Sequence, residues 1–295
     1  FPTRRSSDLI AEVSCVIASA AADWDGEPGA FVEALHPRFG TPYITTIITA
    51  IHIMMGTTTM RRLISIVHLP LAFRSWEELD YVREKMRPAM EKRFLDKGFV
   101  VIGWGDAGWV RFFSKEAAFR PDDYKRMKFF AWGSETEQQD IMKSLGYTPV
   151  PLETSDILPA IQTGMINVVP STPYFALASQ IYNTAPHMLE INWAPIVGAL
   201  VVTQKTWNEM SPELQASMRS ASEKAGVVIR AQARKEVDEA VDAMKKRGLK
   251  VTHPTPEQMQ EWNVLADKLY PRIRGTMVPA ETFTTLLKSP TQTLP

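Results

Sequence analysis

The chain reads as an α/β protein of two lobes, with one long helix running along both. Three observations predict this. From Leu63 onward, short apolar runs of strand length alternate with segments of helical periodicity. A stretch from Pro212 to about Arg247 keeps helical apolar spacing over a length greater than one lobe. The 295 residues, 45% hydrophobic and 22% charged, suffice for two cores.

Taken in order, Leu69-Pro70-Leu71-Ala72-Phe73 leads into a helix opened by Ser75 and Glu78 as a capping box, with Leu79, Val82, Met86 and Met90 on one face. Gly98 stops it, and Phe99 to Trp104 has the continuous apolar character of a buried strand. Met127 to Trp132 is the next strand, and Ser134 with Glu137 forms a second capping box. Thr148 to Leu152 is extended, a short helix runs from Thr154 to Gly164, and Met165 to Val169 is a strand. Thr172 caps a helix whose first residue is Pro173. Val197 to Thr203 is a further strand. Helices of this length between strands imply mostly parallel sheets. Ser211-Pro212-Glu213 opens the long helix; Lys245, Lys246 and Arg247 suit its C-terminal dipole, and Gly248 ends it. The expected divisions are 1–62, an N-terminal segment; 63–125, lobe I; 126–210, lobe II; 211–250, the long helix; and 251–295, a C-terminal helical segment.

Composition excludes several classes. Lys+Arg and Asp+Glu balance at 33 each, so no basic surface points to nucleic acid. The single cysteine, Cys15, rules out an internal disulfide or a cysteine metal cluster. No apolar run reaches the roughly 18–20 residues of a membrane span. Phe1 to about Leu9 reads as foreign sequence, and Leu9 to Ala22 behind Arg4 and Arg5 has only the outline of a signal peptide, interrupted by Glu12.

Catalytic motifs are absent. The histidines 36, 52, 68, 187 and 253 show no metal-ligand spacing, and no metal or cofactor is expected. Gly103-Trp104-Gly105-Asp106-Ala107-Gly108 has the bare spacing of a dinucleotide fingerprint, but Trp109-Val110-Arg111-Phe112-Phe113 does not open a helix, so no helix N-terminus would hold a pyrophosphate. A turn between two strands is the better reading. Asp122-Asp123 after Pro121 is a solvated turn rather than a carboxylate dyad.

A series of segments between Leu69 and Met210 resembles the DctP-like family of solute-binding proteins from TRAP-type (tripartite ATP-independent periplasmic) transporters. They are Leu69 to Glu78, Lys97 to Trp104 with Gly108, Pro121 to Lys128, Leu145 to Leu152 followed by Asp156 to Asn167, and Trp207 to Pro212. Residues 1 to about 62 carry no such match, so truncation or corruption is expected there. The resemblance implies a periplasmic-binding-protein-like fold, periplasmic location, no enzymatic activity and delivery of a small ligand to TRAP permease subunits. In some arginine-lacking systems it also implies a helical-repeat accessory protein.

The family's carboxylate-binding arginine aligns with Phe130, its aspartate with Asn167, the following glycine with Val168 and a later asparagine with Thr203. Without the guanidinium, an organic-acid ligand loses its bidentate partner. The resemblance therefore points to a subgroup taking uncharged or apolar ligands. The residues expected to line the cleft are Trp104, Trp109, Phe130, Trp132, Asn167, Ser171, Thr172, Tyr174 and Trp193. Strand C-terminal ends favour Trp104, Phe130 and Trp132, although aromatics at such positions are more often core. Lys128 shares a strand face with Phe130 and is expected to reach solvent, leaving the cleft neutral. The alternatives are an organic-acid binder, an enzyme on a similar scaffold, or a gene fragment.

Overall fold

The computed structural model describes residues 63–278, 280 and 283, so the expectations for 1–62 and for most of the last residues lie outside the described residues. Helix α1 (Trp76–Asp96) begins where the Ser75 hydroxyl accepts from the Glu78 amide at 3.3 Å. The other half of the expected box is displaced, since the Glu78 carboxylate accepts from the Arg74 amide at 2.7 Å. Leu79, Val82, Met86, Met90 and Phe94 form its buried face.

Strand β1 (Phe99–Trp109) pairs antiparallel with β7 (Pro195–Thr203) in the first sheet. Its register shifts between Val101 and Gly103 and again between Asp106 and Gly108. The glycine pattern therefore lies inside a bulged strand, not in a turn between two strands, and Gly108 takes the positive φ of 104° that the second bulge requires. No helix follows it, as expected.

At Val110 the chain crosses directly into β2 (Arg111–Ser114) of a second sheet. That sheet also holds β3 (Lys128–Trp132), β4 (Thr148–Leu152), β5 (Val168–Ser171), β6 (His187–Leu189) and β8 (Lys250–Thr252), in the order β4-β3-β5-β2-β6-β8. β3 runs parallel to β4 and β5, but β2 runs antiparallel to β5 and β6. The first sheet is thus antiparallel and the second mixed where mostly parallel ones are expected. The physical reason is that β2 continues a crossing strand and no helix turns the chain around. The return crossing at residues 190–194 pairs with the outgoing one: the Val110 amide donates to Ala194 at 2.8 Å, and Trp193 donates to Val110 at 3.1 Å. β2 thereby sits in the second sheet and β7 in the first.

The second sheet is covered on both faces. Phe113, Phe130, Val169 and Met188 pack with α3 (Ile157–Thr163) and α4 (Pro173–Ala178). Phe112, Phe129 and Leu189 pack with Trp262 of α7 (Pro256–Ile273). Helix α2 (Thr136–Ser144) has Glu135, not the expected Ser134, at its N-cap position. A short α5 (Gln204–Glu209) precedes α6 (Pro212–Lys245).

α6 is continuous through Gly226 and, at 34 residues, about 51 Å long. Ser211 caps it, accepting from Leu214 N at 3.3 Å. It packs against β1 of the first sheet and α4 of the second, and buries Val241 and Met244 in the second core. The lobe-spanning role expected from its length is realised.

Candidate functional site

Parallel strands β3, β4 and β5 end side by side at Trp132, Leu152 and Ser171. In α/β sheets this C-terminal edge is where ligands collect. Gln139 Nε2 donates to the Trp132 carbonyl at 2.8 Å and to the Gly133 carbonyl at 3.3 Å, fixing the loop after β3. An added Cβ at Gly133 would lie 2.9 Å from Glu153 Oε1, so a side chain there would push the Glu153 carboxylate aside. After β5, Thr172 Oγ1 accepts from the Phe175 amide at 3.4 Å, and Pro173 opens α4. Tyr174 is 52% exposed beside this cap. Trp132 is half-buried, its ring edge-on to Phe130 at 4.9 Å between centroids. The loops 133–136, 153–156 and 171–174 carry Glu135, Glu153 and Asp156 and contain no lysine or arginine.

Of the residues expected to line a cleft, the structure brings Trp132, Ser171, Thr172 and Tyr174 together at this edge, with Phe130 buried beneath Trp132 in the second core. The others are placed elsewhere. Trp104 is buried in the first core and donates from its indole to Glu91 at 3.2 Å. Trp109 is buried against Trp76, with centroids 4.9 Å apart. Trp193 packs on Phe112 and Trp262 at the crossing. Asn167 lies at the opposite end of β3, where its Oδ1 accepts from the Lys128 amide at 3.1 Å. Lys128 is exposed, and its ammonium donates to the Gly164 carbonyl at 3.2 Å, away from the edge.

Two charged groups escape sequence reading. The buried Asp106 carboxylate accepts from Arg83 at 3.1 Å and from Arg234 at 2.7 Å, and Arg234 also binds Asp80 at 2.6 Å. This network ties α1, β1 and α6 together just ahead of the crossing. Burial pushes Asp80 upward, but the Arg234 hydrogen bond and the Arg83 charge outweigh it and hold the carboxyl below its usual range. The Trp76 ring lies under the Arg234 guanidinium at 4.6 Å. At the crossing itself, Arg111 pairs with Glu190, which also meets His253 at 3.0 Å. Neither network leaves a local motif, because each is assembled by register and packing across distant segments.

Two cavities stand out. One of about 310 Å³ lies between α1, β1 and α6 and includes Trp207 and Arg219. The other, of about 630 Å³, lies between residues 69–74, the return crossing and α7. Among the described residues no cluster of three or more His, Cys, Asp or Glu could hold a metal, and no helix is long and apolar enough to cross a membrane.

Comparison with known proteins gives this geometry its context. The profile of the bacterial extracellular solute-binding protein family 7 (DctP) matches residues 48–275. Its pattern therefore reaches into the 1–62 segment and corrects the expectation of no match there for residues 48–62. The C4-dicarboxylate-binding periplasmic protein DctP of Rhodobacter capsulatus is 22% identical over 196 residues, 66% of this chain and 59% of that protein. The chain thus spans about three-fifths of that relative's length. Among solved structures, a TRAP periplasmic solute-binding protein of Ralstonia eutropha H16 with bound (S)-2-acetolactate aligns with TM-score 0.70 at 20% identity, over 79% of this chain and 74% of that one. One from Shewanella oneidensis with bound succinate aligns with TM-score 0.70 at 16% identity, over 81% and 77%. These likenesses establish the two-lobed fold, and with the profile match over most of the chain they lead to one conclusion: the chain belongs to the bacterial extracellular solute-binding protein family 7.

Proposed function

We propose that this chain is the extracytoplasmic solute-binding subunit of a TRAP-type transporter, and that it captures a small uncharged or apolar solute at the C-terminal edge of the second sheet. It is a binder and not an enzyme. It acts in the periplasm and hands its solute to membrane permease subunits, with a helical-repeat accessory protein as a further partner in that scheme. The observation that carries the ligand class is electrostatic. The position aligned with the family's arginine is Phe130, which is buried, and the three edge loops hold carboxylates but no lysine or arginine. Arg111, strand-paired with Ser171 at this edge, is already engaged by Glu190, so a ligand carboxylate brought there would lose hydration and have to displace that pair to gain a cation. Trp132 and Tyr174 offer ring surface, while Ser171 and Thr172 offer polar groups for orientation.

The organic acids bound by the related structures, acetolactate and succinate, favour the competing reading. Ligand-induced thermal shift separates the two. Neutral or long-chain solutes should raise the unfolding midpoint by several degrees, and Trp132→Ala or Tyr174→Ala should remove that rise. Stabilisation by succinate or a sugar acid, abolished by Lys128→Ala but kept in Trp132→Ala, would overturn the uncharged-solute reading.

A further inference from the structure

The cavity of about 630 Å³ falls within the size range of small-molecule sites and shares no residue with the Trp132–Tyr174 edge. One wall is a single face of α7, where Met259, Asn263, Asp267 and Tyr270 follow one another at spacings of three and four residues. The segment ahead of α1 contributes Phe73 and Arg74 to the lining. The return crossing supplies Asn192.

The charges on these walls are unevenly used. Glu190 is engaged by Arg111 and His253, and Glu78 by the Arg74 amide. The Arg74 guanidinium and the Asp267 carboxylate enter no ion pair among the described residues, and they come from different segments of the lining, Arg74 from ahead of α1 and Asp267 from α7. The Asn192 and Asn263 amides are likewise uncommitted among those residues. A separated cation and anion, two free amides and an apolar lining of Phe73, Met259 and Tyr270 complement a molecule that is itself dipolar and partly apolar.

We infer that this cavity is a second binding site, distinct from the sheet edge, for a small zwitterion with an apolar side group, of the aliphatic α-amino-acid class. Arg74 receives the carboxylate, Asp267 receives the ammonium, and the ring-and-thioether lining covers the side group. Charge-assisted hydrogen bonds at both ends supply discrimination that neither end gives alone.

Isothermal titration calorimetry on the intact chain tests this, with L-leucine, 3-methylbutylamine and 4-methylpentanoate as probes. L-leucine should bind at one site. The amine, lacking the carboxylate, and the acid, lacking the ammonium, should each bind about tenfold more weakly or less. Arg74→Gln should abolish the preference for leucine over the amine, and Asp267→Asn the preference over the acid. Both positions are exposed, so both variants should keep the parent's unfolding midpoint. Leucine binding should survive Trp132→Ala. Absence of leucine binding, equal affinity for the three probes, or unchanged preferences in both variants would overturn the inference. Loss of leucine binding in Trp132→Ala would also overturn it, by moving the ligand to the sheet edge.

Discussion

Replacing Gly226 with alanine tests whether α6 is seated on the first sheet as well as the second. A Cβ at this position would lie 2.7 Å from the Trp104 carbonyl oxygen and 3.1 Å from Arg230 Nη1. The carbonyl belongs to β1, held by its pairing with β7, so it cannot swing aside. Arg230 donates to that same oxygen at 2.8 Å. In a helix free of neighbours, exchanging glycine for alanine would gain about 1 kcal/mol. Here the added methyl overpacks the contact at a cost of about 1–3 kcal/mol, and displacing Arg230 forfeits about 1 kcal/mol more. The net expectation is destabilisation by about 1–3 kcal/mol. For a chain of this size that lowers the unfolding midpoint by about 2–12 °C. Thermal unfolding followed by circular dichroism reads it directly. An unchanged or raised midpoint in Gly226→Ala would refute the seating and with it the lobe-spanning role of α6.

Further outcomes follow from the same contacts. Arg234→Met leaves the buried Asp106 with Arg83 alone and should cost about 3 kcal/mol in urea unfolding at neutral pH. Because the folded-state Asp80 carboxyl is held low, its contribution is full above its unfolded pKa of about 3.9 and disappears as the pH falls through the folded value. The stability gap between parent and Arg234→Met should therefore narrow below about pH 4. Thr172→Ala removes the cap of α4; with a cap bond of 3.4 Å the loss should sit near the low end, about 0.5 kcal/mol, visible as faster amide exchange in α4. Lys128→Ala should change stability by no more than about 0.5 kcal/mol and leave any solute-induced shift intact, since its ammonium only meets a surface carbonyl.

Legibility in the sequence divides along the range of the interactions involved. α6 and the Thr172–Pro173 cap can be read because spacing and capping are local. The crossing at Val110 cannot, since Phe99 to Ser114 is nearly unbroken as an extended run and only pairing with distant residues, 195–203 for β1 and 168–171 for β2, splits it between two sheets. The same limit hides Asp106. Inside a glycine-rich stretch it has the look of a turn residue, and only the bulge in β1 turns its carboxylate toward Arg83 and Arg234. The aromatic signal is ambiguous for another reason. Trp104, expected at a strand end, lies in the middle of β1, while Trp109 and Trp132 do end strands; yet Trp104 and Trp109 are both covered by α1 and Trp132 is not fully covered. Burial depends on what packs above, which periodicity does not encode. Phe130 shows what a departure from family pattern adds. Ile161 and Val169 share its core, so an arginine at this position would sit among apolar side chains, costly without a partner. Phenylalanine and its surroundings are consistent with each other, and that consistency extends to the edge above, where the three loops hold no lysine or arginine and Arg111, strand-paired with Ser171, is taken up by Glu190.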